Sequence, residues 1–123
     1  MPFDPQPVVL HLADTEKVVR YIELLDGPPP WTINSASIIR PMPPGSVPPE
    51  KITMLNAARW RFTNVNPDLN TVVGTLVYDP KGGADAALDA IRNIIPAKIP
   101  SIDVTLNVIC NGLSRTLVVN ICP

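Results

Sequence analysis

The sequence predicts a single α+β domain: a mostly antiparallel sheet of five or six strands with two helices over one face. Three observations carry that expectation. Residues 102–122 alternate apolar and polar on both sides of Asn111-Gly112. The apolar spacing turns helical twice, within 15–26 and 85–95. Sixteen prolines, well above the ~5% of average usage, coexist with 46% hydrophobic residues, which describes an ordered chain with stiff connections rather than a disordered one. At 123 residues the chain can bury one core without cross-links and leaves no room for a second.

In order along the chain, residues 1–7 hold Pro2, Pro5 and Pro7, which bar regular helix and predict an extended arm of the kind that lies on a neighbour. Residues 8–12 (Val-Val-Leu-His-Leu) read as a short strand. Asp14 or Thr15 then offers a helix cap. Val18, Ile22 and Leu25, with Val19 and Tyr21 beside them, predict a helix over 15–26, and Glu16 and Arg20 form an i,i+4 pair on its polar side. Gly27 and Pro28-Pro29-Pro30 end it. A strand is the competing reading of this stretch, but its alternation is poor.

Residues 31–40, rich in β-branched side chains, predict a strand, and 41–49, with five prolines in nine positions, a rigid loop of polyproline II character. Residues 52–63 predict a long strand with Ile52, Met54, Ala58, Trp60 and Phe62 on one face and Thr53, Arg59, Arg61 and Thr63 on the other. Asn64 to Asn70 reads as a turn and 71–78 as the returning strand, in which Gly74 marks a bulge or a close approach. Leu88, Ile91 and Ile95 predict the second helix over 85–95, stopped by Pro96. Asp85 and Asp89 read as charges at its start.

The tail predicts a hairpin over 102–110 and 115–122. Asn-Gly tolerates the positive φ that a type I′ turn needs at both centres. If Cys110 faces Leu113, then Ile102, Val104, Leu106 and Val108 lie opposite Ile121, Val119, Leu117 and Arg115 on one face. The other face is mixed and carries Thr105, Ile109 and Val118. The same register sets Cys110 and Cys122 ~30 Å apart at ~3.3 Å per residue, against the ~7 Å a disulfide tolerates. No intrachain disulfide is expected, which fits a reducing compartment.

The net charge of -1, from 10 basic and 11 acidic residues, gives no field to draw a phosphate backbone, so nucleic acid is not an expected partner. No apolar run approaches the ~20 residues of a membrane helix, and no basic-then-apolar signal pattern opens the chain. A virion or the cytoplasm is the expected location. No catalytic, cofactor or metal motif is present: Lys81-Gly82-Gly83 lacks the order of a phosphate loop, and His11 is the only histidine.

These features point to a non-catalytic building block of a multi-copy particle, such as a virion or phage structural or cement protein, whose partners are copies of itself or other subunits. Phe3 and Pro5 on the arm, Arg59 and Arg61 on the long strand, and Thr105, Ile109 and Val118 on the mixed hairpin face are the candidate interface. The alternative is a small-molecule binding module or small enzyme with a pocket between the sheet and the first helix, lined by His11, Tyr21, Trp31 and Trp60.

Overall fold

A computed structural model describes residues 3–4, 6–22, 31–39, 52–67, 71–98, 101–110 and 112–123. They form β1 (Phe3–Asp4), β2 (Val8–His11), β3 (Glu16–Tyr21), β4 (Trp31–Ile39), β5 (Ile52–Leu55), β6 (Trp60–Pro67), β7 (Val72–Tyr78), α1 (Ala86–Lys98), β8 (Ile102–Cys110) and β9 (Leu113–Cys122), with a 3-10 turn at Ala57–Arg59. Two sheets result, ordered β1-β3-β7-β6 and β2-β9-β8-β4-β5. The expected α+β architecture is therefore corrected: the described residues form a mostly β, two-sheet structure with one α-helix instead of two.

The hairpin β8–β9 pairs Ile102↔Ile121 through Cys110↔Leu113, the register that alternation and the Asn-Gly corner predict. Gly112 takes φ +78°, a left-handed value that glycine adopts without strain; Asn111 lies outside the described residues. β4 flanks β8 antiparallel, while β2 flanks β9 in parallel, from Val8↔Val119 to His11↔Cys122.

The predicted first helix is strand β3, paired antiparallel with β7 from Glu16↔Val77 to Tyr21↔Val72. Val19 and Tyr21 point into the core, while Val18 and Ile22 are 59% and 45% exposed. The apparent helical spacing arose because apolar residues sit on both faces of this strand. Two adjacent β-branched valines disfavour helix, and the ladder to β7 decides the outcome. Asp14 caps no helix: its Oδ2 accepts from the His11 N–H at 3.0 Å, closing the turn after β2. Within the expected extended arm, Phe3 and Asp4 form β1, which pairs with β3 of the same chain through Phe3↔Tyr21 and Asp4↔Arg20. The proline loop over 41–49 lies outside the described residues.

The long strand over 52–63 is broken in two. Asn56 Oδ1 accepts from the Ala58 N–H at 2.9 Å and opens the 3-10 turn, the local competition with the ladder that asparagine side chains offer. The turn carries the chain from β5 in one sheet to β6 in the other. The predicted common face fails across it: Met54 is 64% exposed, whereas Arg59 and Trp60 are both buried. β6 also runs through the expected turn to Pro67, with a register shift between Thr63 and Asn66 where Asn64 takes φ +52°.

The inward residues of both sheets, with Leu88, Ile91 and Ile95 of α1, make one buried cluster. α1 runs on to Lys98 past Pro96, where the expected stop did not occur. Trp31 of β4 crosses between the sheets, its ring centroid 5.6 Å from Phe3, 5.9 Å from Tyr21 and 5.0 Å from Phe62. Gly74 of β7 makes room for it. A Cβ there would lie 2.8 Å from Trp31 Cε3 and Cζ3, so the close approach expected at this glycine is that of an indole. No helix among the described residues is long and apolar enough to cross a membrane.

Candidate functional site

Period-2 alternation gives each sheet one face in the core and one outside. On the five-stranded sheet the pairings set the outward residues in rows. Val9, Asn120 and Asp103 form one, Val118, Thr105, Ser37 and Met54 a second, Thr116, Asn107 and Ser35 a third, and Ser114, Ile109 and Thr32 a fourth. Asparagine bridges stiffen the surface: Asn107 donates to Ser114 Oγ and accepts from Asn34 Nδ2 at 3.3 Å, and Asn120 Nδ2 donates to Asp103 Oδ1 at 2.8 Å. Among the described outward side chains of this sheet Asp103 is the one carboxylate, and no lysine or arginine joins it.

The four-stranded sheet differs. Its outward rows include Glu16, Val77 and Arg61 together, and Arg20 beside Val73. A shallow hollow on this side is lined by Glu16, Lys17, Val18 and Thr75. Charges here keep their water more cheaply than they could be covered.

The predicted interface residues divide. Thr105, Ile109 and Val118 lie together on the outward face of the five-stranded sheet, Thr105 exposed and the other two half-buried. Arg61 is exposed on the opposite sheet, 3.9 Å from Asp79. Phe3 is buried against Tyr21 and Trp31, since a large ring gains more in the core than on an arm. Pro5 lies outside the described residues. Val9 and Met54 join the face without having been singled out, Met54 because the break before β6 could not be foreseen.

Arg59, expected on a solvated or subunit-facing surface, is 3% exposed. Its guanidinium donates to Asp89 Oδ1 at 2.7 Å and Oδ2 at 3.2 Å, twice to the Gly83 carbonyl oxygen, and to the Tyr78 hydroxyl at 3.3 Å. The hydrogen bonds to Asp89 raise its pKa above the ordinary arginine value against the opposing effect of burial. Arg59 in turn lowers the Asp89 pKa. Asp85, one helical turn earlier, caps α1 by accepting from the Leu88 N–H at 3.1 Å and also accepts from the Asn56 N–H at 2.7 Å. The two helix-start carboxylates thus anchor α1 to the strand break. Nothing local marks this role, because Arg59 fits the polar side of the alternation and its partner Asp89 lies 30 residues away.

Of the four candidate pocket residues, His11 lies on the outside and the three aromatic ones in the core. Tyr21 and Trp31 pack ring to ring in the core, and Trp60 packs on Tyr78 at 4.7 Å. The first helix that was to form one wall is β3. The buried indole N–H groups of Trp31 and Trp60 have no hydrogen-bond partner among the described residues. His11 faces outward at the end of β2, its Nδ1 3.0 Å from the Pro123 carbonyl oxygen and 3.3 Å from Cys122 Sγ. Among the described residues no three histidine, cysteine or acidic side chains gather as metal ligands. No protein-family model matches this chain, and no curated protein or solved structure matches it significantly.

Proposed function

We propose that the protein is a non-catalytic building block of a multi-copy assembly, such as a virion or phage structural or cement protein, and that it docks on a second copy or another subunit through the outward face of its five-stranded sheet. One observation carries the reading: that face combines Val9, Met54, Ile109 and Val118 with threonine, serine and asparagine and almost no charge. Depletion of charge at the centre of a patch is what distinguishes the cores of protein interfaces. The opposite face, with Glu16, Arg20 and Arg61, lacks that property.

Substitutions on the face test the reading. Thr105→Lys and Val118→Asp each place a charge at the centre of the patch, where covering it unpaired costs several kcal/mol, and every ~1.4 kcal/mol weakens association tenfold. Sedimentation velocity is expected to show wild-type and Arg61→Glu protein associating alike, with both face variants shifted to monomer at unchanged melting temperature. Face variants that sediment like wild type would remove this face from the proposal.

A further inference from the structure

We infer that Cys122, paired with His11, is a reactive thiol that exchanges with small disulfides, whereas Cys110 is a protected one. The parallel pairing of β2 with β9 sets His11 directly beside Cys122, on the outward side. The Leu12 N–H donates to the Cys122 carbonyl at 2.9 Å, and the Asp14 N–H donates to the His11 carbonyl at 2.9 Å. With the Asp14 carboxylate on the His11 N–H, these bonds fix both backbones, so the 3.3 Å contact of imidazole and sulfur is built into the strand pairing. His11 is exposed and Cys122 half-buried, within reach of a small reagent, while Cys110 is 0% exposed. Neither cysteine is in a disulfide.

Thiol–disulfide exchange needs a thiolate, access and a place for the proton. Nδ1 can occupy one of two roles beside the sulfur, set by the ring tautomer. With the proton on Nε2, its lone pair faces Sγ and takes the thiol proton. The resulting Nδ1–H then has two acceptors at hand, the sulfur and the Pro123 carbonyl oxygen at 3.0 Å. The sulfur attacks one sulfur of the small disulfide. The new S–S bond forms as the old one breaks, and the departing sulfur leaves as a thiolate with the bonding pair. The proton on His11 passes to that thiolate when it is basic, or to water when, as with an aromatic thiolate, it is not. One thiol and one disulfide become one mixed disulfide and one thiol or thiolate, so no outside oxidant is needed. The pair lies one outward row beyond Val9 and Asn120 on the sheet proposed to dock, so the exchange rate is read at low protein concentration, where that face is uncovered whether or not it docks.

The test uses the reduced full chain and an aromatic disulfide, dithiobis(nitrobenzoic acid), followed by release of its coloured thiolate. Native protein is expected to give one fast equivalent, and a second only in denaturant. Peptide mapping of the mixed disulfide is expected to place the fast site at Cys122 without any variant. His11→Gln is expected to slow the fast phase by roughly tenfold, less than the ~10²–10⁴ of a fully aligned general base. Continued protection of Cys110 in that variant reports an intact fold. Two equally slow thiols in native protein, a fast site mapped to Cys110, or a wild-type fast rate in His11→Gln with Cys110 still protected would each overturn the assignment.

Discussion

Gly74→Ala is expected to destabilise the protein by about 2–3 kcal/mol, near the upper end for overpacking one methyl into a filled core, and to lower Tm by roughly 10 °C for a domain of this size. The added Cβ would sit 2.8 Å from two carbons of the Trp31 ring. That ring cannot retreat cheaply, because Phe3, Tyr21 and Phe62 each meet it edge-on. Urea denaturation of Gly74→Ala, Trp31→Leu and the double variant gives the coupling directly. Trp31→Leu removes the obstacle, so the double variant should lose clearly less than the two single losses combined. Strict additivity would mean that the two sheets do not pack through this contact.

Arg59→Ala is expected to cost about 3 kcal/mol, the low end for removing one partner of a buried ion pair. Asp89 keeps 54% of its side chain exposed, so the Coulombic share of the pair is screened. Most of the loss comes from the Tyr78 hydroxyl, buried without this donor, and from the two charge-assisted hydrogen bonds that the Gly83 carbonyl oxygen loses. Arg59→Lys should recover little, since one ammonium cannot span acceptors that the guanidinium fork meets from several sides. The comparison is read from urea midpoints at neutral pH.

A pH dependence accompanies this pair. Arg59 lowers the Asp89 pKa from its ordinary 3.8, so the stabilisation is complete above that value and is lost as pH falls through the lower, folded-state value. Wild type should therefore be more stable than Asp89→Asn at neutral pH, with the gap closing progressively below pH 3.8. A gap that persists unchanged in strong acid would show that the carboxylate charge contributes nothing.

The parts of the fold legible in the sequence are those whose partners are close along the chain. The β8–β9 register follows from one turn and one alternation, and the inward face of α1 follows from Leu88, Ile91 and Ile95, all buried. β3 was misread because only Val19 and Tyr21 alternate inward, while Val18 and Ile22 remain outside with no described element over them to enforce a polar choice. The break at Asn56 was equally hidden. It depends on the chain changing sheets and on Asp85 and Asp89 arriving from the far side of β7 to receive Asn56 and Arg59.

The same distinction governs the candidate site. Thr105, Ile109 and Val118 were grouped correctly because one hairpin sets all three. His11 and Cys122 were not, because a parallel pairing between the first and last strands of a sheet leaves no local trace. Residue type alone places Phe3 on the arm and, in the alternative reading, Tyr21, Trp31 and Trp60 around a pocket, whereas in the fold these rings fill the core.

Native mass at high protein concentration tests the assembly role most directly. Self-association through the five-stranded sheet predicts a species that is a multiple of the 13.3 kDa chain and that grows with concentration. A sharp 13.3 kDa monomer throughout, with no particle from the source that recruits it, would contradict that role.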